Sequence, residues 1–141
     1  MLVKLPHSGK MVLIDEILEY SSDSIKVRSV IKDDNAFLEN DKFYTYKGIE
    51  MMAQSLGAFK GLNSSDDFSL GFLISIREFE IFKHELGIGD EVVVSSKVSM
   101  QDDNGFGVWQ SSMRVKDELV ASASLSVLSP SKEMFEGLKN E

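Results

Sequence analysis

Cysteine is absent from this chain of 141 residues, which removes disulfides, thiolate nucleophiles and thiolate zinc sites together. Histidine is nearly absent: His7 and His84 are the only two imidazoles, too few for a multi-histidine metal centre. No stretch of about twenty apolar residues occurs, and Met1-Leu2-Val3-Lys4-Leu5-Pro6-His7 lacks the uninterrupted apolar core of a secretory signal. A cytoplasmic location is the expectation. Basic charge is outweighed, with 15 Lys and Arg against 23 Asp and Glu, a net charge of -8 spread along the chain. That balance argues against nucleic acid or an anionic membrane as partner. Gly87-Ile88-Gly89 and Gly105-Phe106-Gly107 lack the rest of any nucleotide fingerprint, and no Gly-x-Ser-x-Gly elbow is present. Neither a metal nor a redox cofactor is expected.

With 43% hydrophobic residues, the chain is long enough for one full core and too short for two. We expect a single domain over residues 1–128 and a short tail over 129–141, where Pro130 follows a plausible helix cap at Ser129. Met11 to Tyr20 and Ser24 to Lys32 are rich in Val and Ile and read as strands joined at Ser21-Ser22-Asp23. Asp33 to Lys47 turns polar and aromatic and reads as a long irregular loop. Gly48 to Leu62 has helical composition, and Leu70 to Lys83, Asp90 to Gln101, Phe106 to Lys116 and Glu118 to Leu128 read as strands. Asp103-Asn104-Gly105 and Lys116-Asp117-Glu118 supply the turns. A long antiparallel sheet with one helix is expected to curl around it, in the α+β class, leaving a face or edge for a second copy.

Within the helix, Ile49, Met51, Met52, Ala53, Leu56, Ala58, Phe59 and Leu62 surround one carboxylate, Glu50. A glutamate in such company is expected to be paired or functional, because desolvating its charge is unfavourable. Glu50, Gln54, Gly57 and Gly61 recur at spacings of four, three and four, so they share one stripe.

Leu5-Pro6-His7 with Met11-Val12-Leu13-Ile14-Asp15, then Ile49-Glu50-Met51-Met52-Ala53-Gln54, resemble the two signatures of hotdog-fold β-hydroxyacyl-acyl carrier protein dehydratases, the FabZ-like group. Gly71-Phe72-Leu73, Phe82, Gly89-Asp90 and Leu119-Val120-Ala121 follow in the same order, over about residues 3–128. Within the group the chain is most similar to the ApeP-like branch, which is associated with aryl polyene synthesis. The resemblance implies a hotdog fold with its sheet wrapped around one long central helix. One departure is evident: FabZ-type enzymes carry a histidine in a Pro-Gly-His-Phe-Pro loop, where this chain has Phe37-Leu38-Glu39-Asn40-Asp41-Lys42-Phe43-Tyr44.

The activity implied is removal of water from 3-hydroxyacyl thioesters on acyl carrier protein, in aryl polyene or fatty-acid-like synthesis. Such chemistry needs a base for the proton beside the thioester carbonyl, an acid for the departing hydroxyl, and donors for the enolate oxygen. By family position Glu50 acts on the hydroxyl, unless it caps its own helix or pairs with Lys47. His7 is the leading candidate to replace the missing loop histidine, with a merely structural hydrogen bond nearly as good a reading. His84 sits among charges, where solvation is ordinary.

Gln54 would orient Glu50 or a water, or bond helix to sheet. The amides near Gly48 and Ile49 would polarise the carbonyl if the helix begins there. Asp15 reads as structural. Phe37, Phe43, Tyr44, Tyr46, Phe59, Phe72 and Phe82, with Met51 and Met52, would line an acyl tunnel or simply fill the core. Lys4, Lys10, Lys42 and Lys47 would meet an acidic carrier protein or simply be solvated. The resemblance also implies a homodimer, or a heterodimer with a FabZ-like companion. The rivals are a hotdog acyl-thioesterase and a non-catalytic subunit of a dehydratase heterodimer, since fold alone does not fix function.

Overall fold

The computed structural model describes residues 13–63, 72–103 and 105–128. In chain order these form β1 (Glu16–Tyr20), β2 (Ser24–Val30), β3 (Lys42–Tyr44), a 3-10 turn (Thr45–Gly48), α1 (Ile49–Asn63), β4 (Phe72–Ile81), β5 (Glu85–Gly87), β6 (Glu91–Gln101), β7 (Phe106–Val115) and β8 (Glu118–Leu128). Six of the strands make an antiparallel sheet in the order β1-β2-β6-β7-β8-β4, and β3 pairs with β5 in a small second sheet. The class is α+β, as expected. The helix has 15 residues, an ordinary length rather than the long one anticipated.

Alternation explains which face of the sheet receives the helix. On β2, Ile25, Val27 and Ser29 are buried while the residues between them are half-exposed, and Val92, Val94 and Ser96 continue that pattern on β6. Helix α1 lies against β2 and β6. It contributes Met51, Met52, Leu56, Ala58 and Phe59 to the core, and the Phe59 ring meets Trp109 of β7 edge to face, with centroids 4.6 Å apart. Polar atoms in this core are matched. Ser55 Oγ donates to the Met52 carbonyl (2.6 Å) and lies 3.2 Å from Ser96 Oγ, which is 2.7 Å from Ser111 Oγ. These buried hydroxyls beneath the helix are tolerated because each has such a partner.

Two stretches differ from expectation. Residues 33–47 are not one irregular loop: Asn40 and Asp41 adopt positive φ (51° and 62°), and Glu39 and Lys42 exchange both backbone hydrogen bonds, forming a tight turn into β3. Asn and Asp tolerate that conformation better than most residues, so the reversal had a local signal. The strand expected from Met11 begins only at Glu16. The Leu13 N–H is given to the Gln54 side chain, which takes Leu13 out of a regular ladder. The turn at Lys116-Asp117 occurs as expected, with φ of 51° and 64°, and Gly105 has φ 89° before β7. The short helix anticipated in the tail lies outside the described residues.

Candidate active site

The start of α1 is fixed by what precedes it. Thr45 is fully buried, its N–H donating to the His84 carbonyl (2.9 Å) and its Oγ1 to the Lys83 carbonyl (2.5 Å). Gly48 is buried beneath Met113, whose sulfur and methyl occupy the space a Cβ would need. A Cβ here would have to push the flexible end of the buried Met113 aside. The Ile49 N–H is directed at the Lys47 carbonyl, so the 3-10 turn runs straight into the helix.

Glu50 therefore lies in the first turn of α1, where the positive end of the helix dipole favours a carboxylate. It is half-buried rather than engulfed, because its stripe of the helix, shared with Ala53 and Gly57, is turned partly away from the sheet. One turn on, Gln54 is 3% exposed and uses both ends of its amide. Nε2 donates to Glu50 Oε1 at 2.9 Å, and Oε1 accepts the Leu13 N–H at 2.8 Å. Leu13 is held from its other side, where Ser29 Oγ on β2 donates to the Leu13 carbonyl at 2.5 Å.

The carboxylate is thus tied through one amide to the segment that leads back toward His7. His7 itself, with Lys4 and Lys10, lies outside the described residues. Spacing alone pairs Glu50 with Gln54, but Leu13 is 41 positions from Gln54 and no local pattern reveals that bond. Ser29 was legible in principle, as a polar residue in phase with the inward Ile25 and Val27 of its strand.

The remaining candidates separate by environment. Lys47 does not pair with Glu50; its Nζ donates to the Phe37 carbonyl (2.8 Å) and meets Glu39 (3.1 Å). Lys42 pairs with Glu85 at 3.4 Å, so both described lysines of the set expected to meet a carrier protein already face carboxylates. Asp15 is structural, accepting the Val30 N–H at 2.7 Å and meeting Lys32. His84 is exposed. Of the aromatic candidates, Phe43 and Phe59 fill the core with Met51 and Met52, whereas Tyr46 and Phe82 are exposed. Among the described residues no cluster of three or more His, Asp or Glu side chains could hold a metal ion. A recess of about 460 Å³ opens beside Lys26, Ser95, Lys97, Gln110 and Ser112, and it shares no residue with the Glu50 group.

Residues 3–138 fit the ApeP-like model, described as ApeP dehydratase. The chain belongs to the ApeP-like dehydratase family. No curated protein matches it. Among solved structures, the ApeP-like fold here is similar to the dehydratase heterocomplex ApeI:P from Xenorhabdus doucetiae, with a TM-score of 0.84 and 23% identity over 97% of this chain and 95% of that one. A hypothetical thioesterase with coenzyme A from Streptococcus pneumoniae TIGR4 gives a TM-score of 0.65 at 10% identity, covering 81% of this chain and 84% of that one. The PaaI protein of the E. coli phenylacetic acid degradation operon gives 0.63 at 11%, covering 80% and 81%. At these identities the likeness establishes the hotdog fold and leaves the chemistry to the site. No helix among the described residues is long and apolar enough to cross a membrane.

Proposed function

We propose that this ApeP-like chain removes water from 3-hydroxyacyl groups held as thioesters on acyl carrier protein, with aryl polyene or fatty-acid-like synthesis as the setting. The observation that carries this reading is the Glu50 carboxylate, in the first turn of α1 and bonded to the buried Gln54 amide. In this mechanism His7 takes the proton beside the thioester carbonyl and Glu50 delivers a proton to the departing hydroxyl. Gln54 keeps the carboxylate aimed. The helix start at Gly48 and Ile49 lends its dipole to the enolate oxygen.

A second hotdog subunit belongs to this reading. Among the described strands β1 and β4 end the sheet, and a second subunit would pair along the β4 edge. The ApeI:P heterocomplex makes a FabZ-like companion the first partner to try, with a homodimer as the alternative.

The test is mass spectrometry of a 3-hydroxyacyl-loaded carrier protein incubated with the wild type, His7→Ala and Glu50→Ala, each with and without the companion. Loss of one water that depends on Glu50 is expected. A folded Glu50→Ala protein that still dehydrates sinks the mechanism, and free thiol without an enoyl product points to a hydrolase instead.

A further inference from the structure

We propose that Ser29 is a positioning residue for Glu50, acting through the Leu13 backbone and the Gln54 amide; this rests on the dehydratase reading above. Three hydrogen bonds carry the argument: Ser29 Oγ to the Leu13 carbonyl (2.5 Å), Leu13 N–H to Gln54 Oε1 (2.8 Å), and Gln54 Nε2 to Glu50 Oε1 (2.9 Å). Ser29 is fully buried, and Leu13 and Gln54 are 5% and 3% exposed, so water does not compete for these partners.

The polarity of the chain is forced. A primary amide has two ends of similar shape, and turning it over would set its NH₂ against the Leu13 N–H and its oxygen against the Glu50 carboxylate. The Leu13 contact would then set two donors against each other whatever the protonation of Glu50, and it alone fixes the orientation. The Leu13 N–H can only donate, so it draws the amide oxygen and leaves the NH₂ facing Glu50. What keeps that N–H in place is the grip on the other side of the same residue, where a carbonyl can only accept and Ser29 must donate. Asp15, two residues on, is tied separately through its N–H to the Arg28 carbonyl (2.9 Å). Removing the Ser29 hydroxyl therefore loosens Leu13 without freeing the whole segment.

The closing experiment has a kinetic and a spectroscopic arm. Ser29→Ala is expected to lower kcat for dehydration about tenfold with KM changed less than about twofold, since a small misplacement of a reacting group acts on the chemical step. Ser29→Thr, which keeps a hydroxyl on a strand, restores the rate. In a Gln54→Ala background, Ser29→Ala adds less than about a twofold loss, because its route to Glu50 is already cut. In NMR spectra, Ser29→Ala shifts the side-chain amide signal of Gln54 and leaves those of Gln101 and Gln110 unmoved. An unmoved Gln54 signal, or an equal loss of kcat in both backgrounds, overturns the proposal. If no carrier-bound substrate is dehydrated by any form while the Gln54 signal follows Ser29, the coupling stands and the dehydratase reading falls.

Discussion

Two stretches flank the start of α1, and they are held in opposite ways. Leu13 is gripped by the fully buried Ser29 and the 3% exposed Gln54. The turn around Phe37 to Glu39 is held by Lys47, whose side chain is 19% exposed and whose counter-ion Glu39 is 52% exposed. A buried hydrogen bond is expensive to leave unmade, so its geometry is kept, whereas an exposed ion pair is screened and replaceable. Positional accuracy at Glu50 therefore comes from the core-anchored side. The loop side carries no histidine and serves as cover, with Phe37 and Leu38 packed against the core.

The sharpest break of this comparison is chemical. Glu50→Gln keeps the side chain's shape and removes the proposed proton donor, so on the proposed function dehydration of a carrier-bound 3-hydroxyacyl group is expected to fall by about 10² to 10⁴ in kcat. Circular dichroism and the unfolding midpoint stay near wild type, since Glu50 is half-buried and contributes little to the core. A Glu50→Gln protein within tenfold of wild-type kcat would separate the anchored side from catalysis altogether.

Stability tests come next in size. Gln54→Leu leaves the buried Leu13 N–H without its acceptor, and urea unfolding should report a loss of about 1–3 kcal/mol. Gly48→Ala forces the buried Met113 end aside, and overpacking of that kind costs about 1–3 kcal/mol, read by the same titration. If Gly48→Ala is neutral, the approach of the helix start to β7 is looser than the contact implies.

How much of this was legible depends on the range of the pattern. The alternation of Ile25 and Val27 and the composition of residues 48–62 carry their elements, because periods of two and 3.6 are written locally. Strands of three residues carry no period, so β3 and β5 merge into apparent loop; only the Asn40-Asp41 turn hinted at the pair. At the site, Glu50 and Gln54 declare each other by their spacing of four. Leu13 and Ser29 join them only through tertiary contact between β2, the segment before β1, and α1. Ser29 stood in the inward phase of its strand, but a serine there predicts a satisfied hydroxyl without naming its partner. Lys47 was one reading for the partner of Glu50, and the structure gives it Glu39 and the Phe37 carbonyl instead, because the turn at Asn40-Asp41 folds that segment back over the helix start.

The smallest effect should belong to Lys47→Met, which keeps the apolar stem while deleting the charge. The ion pair with Glu39 is partly exposed, and pairs of this kind contribute about 0–1 kcal/mol. The Phe37 carbonyl loses a donor, yet an acceptor near the surface is readily hydrated, so the total stays near the upper end of that range. Salt supplies a check that stability alone does not. The difference between wild type and Lys47→Met should shrink as ionic strength rises, because screening weakens the pair in only one of the two proteins. The Gln54→Leu difference should respond much less to salt, since neither of the two bonds it loses joins two opposite charges and the one to Leu13 is buried. A Lys47→Met loss as large as that of Gln54→Leu, and equally insensitive to salt, would mean that both flanks are core-anchored and would remove the asymmetry on which the assignment of accuracy to the Leu13 side depends.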